Sequence, residues 1–377
     1  MPEIRFDPLT GLRTIIAPER ADRPNAFGTF GPLEIDPADD PFAAGNEHLT
    51  PPELEAIRAA DGAWLARAVP NLYPALSDHA PAPERSHDPD LFGVAAATGA
   101  HEVIINSPDQ ASSLGELEVD RLAAAMELWR RRMRAHAERA SCLHLTVNER
   151  PEGGSSLPHT HAQLFALDFV PAAIARERER FTAHAERTMG GNLLEDLVRE
   201  EVRLRTRLVA VDEECVLLAP WASRVPYQLM LVPRRPAPRF EDDGPLGAAL
   251  LHDALGRLRR LLGGMPPLNL WVRTAPRGAD RFCWRIDILP SPPGWSWARA
   301  WRSTRSPRSG RPPSCETRSA DGRPGDHGVH RDRRRRRAPL RRGRLPGVPA
   351  ADRPDGLAGA AVRGVLHRRR PGPGRRG

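Results

Sequence analysis

The sequence predicts an α+β fold, an antiparallel sheet with flanking helices, followed by a basic tail of different character. Strand-like apolar runs come in groups with helical stretches inserted between them, which favours α+β over a wound βαβ sheet. Charge divides the chain. Residues 1–290 hold 42 Asp+Glu against 33 Arg, and residues 291–377 hold 6 against 23. From residue 292 onward there is no Ile, Met, Phe, Tyr, Asn or Gln, so that stretch has too little apolar surface to offset the entropy of ordering.

The elements follow in order. Leu117–Ala137 has apolar residues at helical spacing, acids early and arginines late, as the helix dipole prefers. Residues 172–207 also read as helix, broken near Gly190-Gly191, and Leu246–Leu262 makes a third helix. Strands are expected at Arg13–Ala17, Glu102–Ile105, Leu143–Val147, Gln163–Leu167, Cys215–Ala219, Gln228–Val232, Leu268–Val272 and Trp284–Leu289.

Composition excludes several classes. No apolar run reaches the roughly 18 residues of a membrane span, and the first 20 residues lack a basic-then-apolar leader, so a soluble cytoplasmic chain is expected. The four cysteines show no C-x-x-C, which argues against a disulfide framework or a cysteine-rich zinc module. Lysine is absent altogether, a mark of a GC-rich gene rather than of a nucleic-acid surface. The run Arg333–Arg337 could neutralise phosphates, but compositional disorder is the plainer reading of the tail. A sharper reading is a frameshift near codons 290–293. One permitted set of GC-rich codons for Pro293–Pro307, read in a shifted frame, spells RLELGTGVAVNTVA, a strand-like segment that the body lacks at its end.

The chemistry concentrates in Asn148–Leu164, NERPEGGSSLPHTHAQL. In an extended segment His159, His161 and Gln163 point the same way, beside a Gly-Gly-Ser-Ser loop whose N–H groups could cradle a phosphate. A neutral imidazole is a competent nucleophile toward phosphorus, and an adjacent amide can steady the transferring group. Two alternate histidines also suit a metal pair or plain packing.

The segment resembles the active-site motif of galactose-1-phosphate uridylyltransferases, the H-x-H-x-Q branch of the histidine-triad superfamily. Further patches fall in the same order: Pro8–Gly11 followed by Ala17–Pro24, Pro41–Glu47, Asn71–Leu76, His101–Ile104 with Ser107–Asp109, then Pro220–Pro233 and Phe282–Pro290. The likeness covers residues 1–290. It implies two histidine-triad-like lobes, 1–175 with the H-x-H-x-Q motif and 176–290, before the 291–377 tail.

By that resemblance His161 would attack the α-phosphorus of a UDP-sugar to form a uridylyl-histidine, and Gln163 would hydrogen-bond the transferred phosphoryl group. Ser156 and Asn148 would lie near the phosphates, Arg20 and Arg23 would contact them, and Asn71 and Tyr73 would hold the uridine. Solvated loop charge, turn chemistry and a core aromatic are the plainer alternatives for the last four. The family's structural zinc uses C-x-x-C, a histidine after S-P-D, and the first histidine of H-x-H. Here those positions are Asp40, Ala43, Gln110 and His159, so no metal and no cofactor is expected. At the family's second metal site stand Cys283 and Arg285, while Glu177 matches its acid and is expected on a solvated helix face.

The expected function is UMP transfer between UDP-glucose and hexose 1-phosphate in galactose metabolism, by a homodimer with no membrane or nucleic-acid partner. Three alternatives stay open. One is a dinucleoside or ADP-sugar phosphorylase, one is a nucleotide-binding protein without turnover, and one is a nucleic-acid binder acting through the tail. The family's sugar-phosphate contacts follow residue 290, so this product could keep the nucleotide half of the site and lack the sugar half.

Overall fold

The computed structural model describes residues 3–11, 13–16, 35–80 and 95–290. Arg20, Arg23 and the tail 291–377 lie outside the described residues, as does the frameshift reading. A short hairpin pairs β1 (Glu3–Phe6) with β2 (Arg13–Ile16). The remaining strands are β3 (Glu55–Arg58), β4 (Trp64–Pro70), β5 (Gly99–Ile105), β6 (Cys142–Glu149), β7 (His161–Leu167), β8 (Leu208–Val211), β9 (Cys215–Leu218), β10 (Leu229–Pro233), β11 (Leu268–Arg273) and β12 (Arg285–Pro290). They form one antiparallel sheet in the order β3-β4-β5-β7-β6-β11-β12-β10-β9-β8. The helices are α1 (Val119–His136), the single turn α2 (Arg150–Gly153), α3 (Ala172–Arg187), α4 (Leu193–Leu204) and α5 (Ala248–Leu262).

The sheet order contains a repeat. Taken from either outer edge, the chain runs first, second, third, fifth and fourth strand, and the two fourth strands, β6 and β11, pair at the centre. Each half also inserts one helix between its third and fourth strands, α1 in one and α5 in the other. This is an α+β molecule of two similar lobes joined through one continuous sheet. The boundary drawn at 175/176 falls in the first turn of α3.

Helix α1 forms because Leu122, Ala125, Met126, Trp129 and Met133 repeat on one face, and all five are buried. That face, together with Leu251, Ala254 and Leu258 of α5, covers one side of the sheet. Each such large side chain contributes roughly 1.5–3 kcal/mol by leaving water. On the opposite side, α3 and α4 cover the second lobe through Phe181 and Leu194, which pack with Val216, Met230 and Phe282. Asn192 caps α4 by accepting from the N–H groups of Leu194 and Glu195. In the first lobe this opposite side carries a smaller cluster, Phe42, Trp64, Val69, Val103 and Ile105. Between the two clusters the sheet presents polar side chains.

Candidate active site

The strand registers place the predicted residues on that polar stretch. β5 sets Val103 opposite Gln163 and Ile105 opposite His161. β6 sets Thr146 opposite Gln163, and β11 sets Trp271 opposite Thr146 and Asn269 opposite Asn148. Because side chains alternate along a strand, His161, Gln163, Thr146, Asn148 and His101 share one face. Asn148 and Gln163 are half-buried, and His161 is buried to 7% exposure.

His161 is oriented by its own backbone neighbour. The carbonyl of His159 can only accept, so His161 Nδ1 carries the hydrogen and donates to it across 2.8 Å. Nε2 keeps its lone pair and meets no hydrogen-bond partner among the described residues. The Phe42 ring stands 5.2 Å away in an edge-on contact and fixes the imidazole plane. Burial pushes the His161 pKa below its usual value, which keeps the ring neutral at neutral pH. Thr160, between the two histidines, is pinned at three atoms. Its N–H donates to Ala111 O at 2.7 Å, its carbonyl accepts from Asn106 N at 3.2 Å, and its Oγ1 accepts from Asn106 Nδ2 at 3.1 Å. Asn106 is held in turn by Trp129 Nε1 at 2.9 Å.

Gln163 lies next to a histidine to which the sequence reading gave no role. His101 Nε2 is 3.2 Å from Gln163 Oε1 and 3.1 Å from Asn71 Nδ2, while His101 Nδ1 accepts from the Ala75 N–H at 3.0 Å. Asn71 Oδ1 accepts from the Tyr73 N–H at 2.8 Å, so Asn71 does perform turn chemistry, and its amide also reaches the site. The Tyr73 ring is 84% exposed and is no core aromatic. Ser156 is exposed as well. The Gly-Ser loop is less free than its composition implies. The N–H groups of Gly154 and Ser155 donate to Pro151 O and Arg150 O, each at 3.0 Å, and so close the turn of α2. They are spent before any phosphate arrives.

His159 makes two bonds that the sequence did not specify. Nδ1 lies 2.7 Å from Asp40 Oδ2 and Nε2 lies 2.9 Å from Ser107 O. The Ser107 carbonyl can only accept, so Nε2 donates to it, and Nδ1 faces Asp40; both nitrogens are engaged within the protein rather than turned to a metal. Asp40 Oδ1 accepts from the Phe42 N–H at 3.0 Å, and Gln110 turns away to donate to Ile35 O at 2.8 Å. These donors do not fit a structural zinc. Among the described residues no group of three or more His, Cys, Asp and Glu could hold a metal ion.

The second family metal position differs from expectation in one respect. Glu177 is not on a solvated helix face but 1% exposed, with Oε2 3.0 Å from Arg285 Nη1. Asp287 completes the cluster, 3.1 Å from Arg285 Nε and 3.4 Å from Arg273 Nε. Helix α3 buries this face against the sheet, and a buried carboxylate needs a cation, which Arg285 supplies. Periodicity alone places Glu177 among the many charges of α3. The signal available was Arg285, with Asp287 two residues on, in a strand whose other residues are apolar.

With this geometry in view, the relationships of the chain are consistent. Residues 1–171 match the model of the galactose-1-phosphate uridyl transferase N-terminal domain. An ADP-glucose phosphorylase of Arabidopsis thaliana is 27% identical, over 73% of this chain and 79% of its own length. The galactose-1-phosphate uridylyltransferase of Haemophilus influenzae is 26% identical, over 78% of this chain and 84% of its own. The crystal structure of an Arabidopsis thaliana ADP-glucose phosphorylase with bound ADP-glucose shares the fold at a TM-score of 0.65 and 23% identity, covering 80% of this chain and 93% of that one. A uridylyltransferase structure does so at 0.57 and 21%, covering 77% and 86%. Strand order, the H-x-H-x-Q strand and these matches agree: residues 1–171 carry the N-terminal domain of the galactose-1-phosphate uridylyltransferase family.

Proposed function

We propose that this chain is a nucleotidyltransferase that works through a covalent nucleotidyl-histidine at His161. The observation that carries the reading is the hydrogen bond from His161 Nδ1 to the His159 carbonyl, which leaves the lone pair on Nε2 of a ring that shares its sheet face with Gln163 and Asn148. In the first step Nε2 attacks the α-phosphorus of a nucleotide sugar. The N–P bond forms as the bond from phosphorus to the bridging oxygen breaks, and sugar 1-phosphate leaves with that electron pair. In the second step a phosphate oxygen of the acceptor attacks the same phosphorus and the N–P electrons return to the imidazole. The Gln163 NH2 donates to the non-bridging oxygens throughout.

Two acceptors define two reactions. Hexose 1-phosphate gives UMP transfer from UDP-glucose, supported by the uridylyltransferase relatives. Inorganic phosphate gives ADP-sugar phosphorolysis, supported by the ADP-glucose phosphorylase likeness. Nucleotide sugar and sugar phosphate are the proposed substrates, a second copy of the chain is the proposed partner, and no metal is assigned a step.

The deciding experiment uses UDP-glucose and ADP-glucose, each labelled at the α-phosphorus. One of them is expected to leave acid-labile label on the protein, lost in His161→Ala and chased off by hexose 1-phosphate or by inorganic phosphate. Label from neither donor, or label that survives His161→Ala, overturns the assignment.

A further inference from the structure

The geometry points to His101 as a positioning residue for this transfer: it holds the Gln163 amide with its oxygen inward and its NH2 toward the phosphate. The inference rests on the reading that Gln163 meets the transferred phosphoryl group.

The proton inventory of the ring carries it. A backbone N–H can only donate, so the Ala75 N–H, 3.0 Å from His101 Nδ1, requires a lone pair there. A neutral imidazole then has its single hydrogen on Nε2. That hydrogen goes to Gln163 Oε1 at 3.2 Å. Asn71 Nδ2, 3.1 Å from the same nitrogen, has its oxygen occupied by the Tyr73 N–H, so it offers hydrogens and is a contact rather than an acceptor.

The two ends of a glutamine amide differ sharply toward a phosphate. The NH2 donates to a charged oxygen, while the carbonyl repels it. An unrestrained Gln163 presents either end, and His101 removes the choice. The ring itself cannot turn. It stacks on Phe165 at 4.1 Å between centroids with 22° between planes, and it is 8% exposed. The Asn71 N–H also donates to the His101 carbonyl at 3.0 Å, so the 71–75 segment grips both the backbone and the ring of this residue. Burial lowers the His101 pKa and preserves the neutral ring at neutral pH.

Three substitutions separate positioning from packing. His101→Phe keeps the stack and loses the bond. His101→Gln places an NH2 near the Nε2 position, and His101→Asn places one near Nδ1 instead. Phe and Asn are expected to lower kcat about tenfold to a hundredfold with little change in KM for the nucleotide sugar, and Gln to recover most of the loss. In a Gln163→Ala background, His101→Phe is expected to change kcat less than about twofold, because there is no amide left to orient. Equal cost in both backgrounds, His101→Gln no better than His101→Asn, or no loss in any of the three overturns the inference. Should the Phe variant fail to fold, the Gln and Asn pair carries the comparison. Absence of His161-dependent label in the parent chain overturns the reaction itself, whereas label with kcat indifferent to His101 overturns this inference alone.

Discussion

His159 and Asp40 meet at 2.7 Å with both side chains at 0% exposure. Both His159 nitrogens are engaged, with Asp40 and with Ser107 O, so the pair forms an internal strut beneath the backbone anchor of His161. Removing one member of a buried pair leaves the other uncompensated. Asp40→Ala is expected to cost about 3–5 kcal/mol by urea denaturation. Asp40→Asn costs less, because its oxygen still accepts from the Phe42 N–H.

The same strut bears on metal dependence. With both His159 nitrogens engaged by Asp40 and Ser107 O, extended dialysis against EDTA is expected to leave the melting temperature and the transfer rate unchanged, and elemental analysis to find well below one metal ion per chain. A stoichiometric metal whose removal lowers the melting temperature contradicts this.

In the second lobe, Glu177→Ala strips Arg285 of a partner at 3.0 Å and is expected to cost about 3–5 kcal/mol, with turnover per folded molecule retained. Asp287 gives this cluster a pH signature. Burial alone would raise its pKa, but Arg285, Arg273 and Arg224 outweigh burial and hold it below the usual carboxylate value. A depressed carboxylate stabilises above its unfolded pKa of about 3.9, and that contribution fades as pH falls through the folded value. Denaturation at pH 7 and pH 3 is expected to show a steep acid loss in the parent chain, and a shallower one in Asp287→Asn, which starts from lower stability.

Glu149 titrates with the opposite sign. Burial pushes its pKa up to about 7, against the bonds from Ser113 Oγ and the Leu114 N–H, each at 2.6 Å. A raised carboxyl favours the folded state below its unfolded pKa, and this contribution is lost as pH rises toward 7. Between pH 5 and pH 8 the parent chain is expected to lose at most about 3 kcal/mol more than Glu149→Gln. Parallel profiles for the two proteins disprove the shift.

Much of this molecule is written in its periodicity. The three helical stretches and eight strand runs occur where apolar spacing puts them, including the break at Gly190-Gly191 between α3 and α4. The strands β1, β3, β4 and β8 were not legible. β3 and β8 are four-residue strands at the sheet edges, too short to alternate clearly, and β4 buries Arg67 where the pattern calls for an apolar residue. In the site, alternation placed His159, His161 and Gln163 together because they share one strand. The resemblance put Asp40 and His159 at one group of positions but not the bond between them, 119 residues apart, and His101 escaped because its partner Gln163 lies 62 residues away, a distance that local pattern does not span. Loop composition misled for a related reason: glycine and serine advertise free N–H groups, but α2 consumes two of them.

The central pairing of β6 with β11 joins a strand from each half, Leu145–Glu149 against Leu268–Val272. A chain cut at Gly190-Gly191 would yield two fragments, each ending its sheet on an open edge of unpaired backbone N–H and C=O groups whose complement sits on the other piece. Such fragments, expressed together, have a ready means of finding one another.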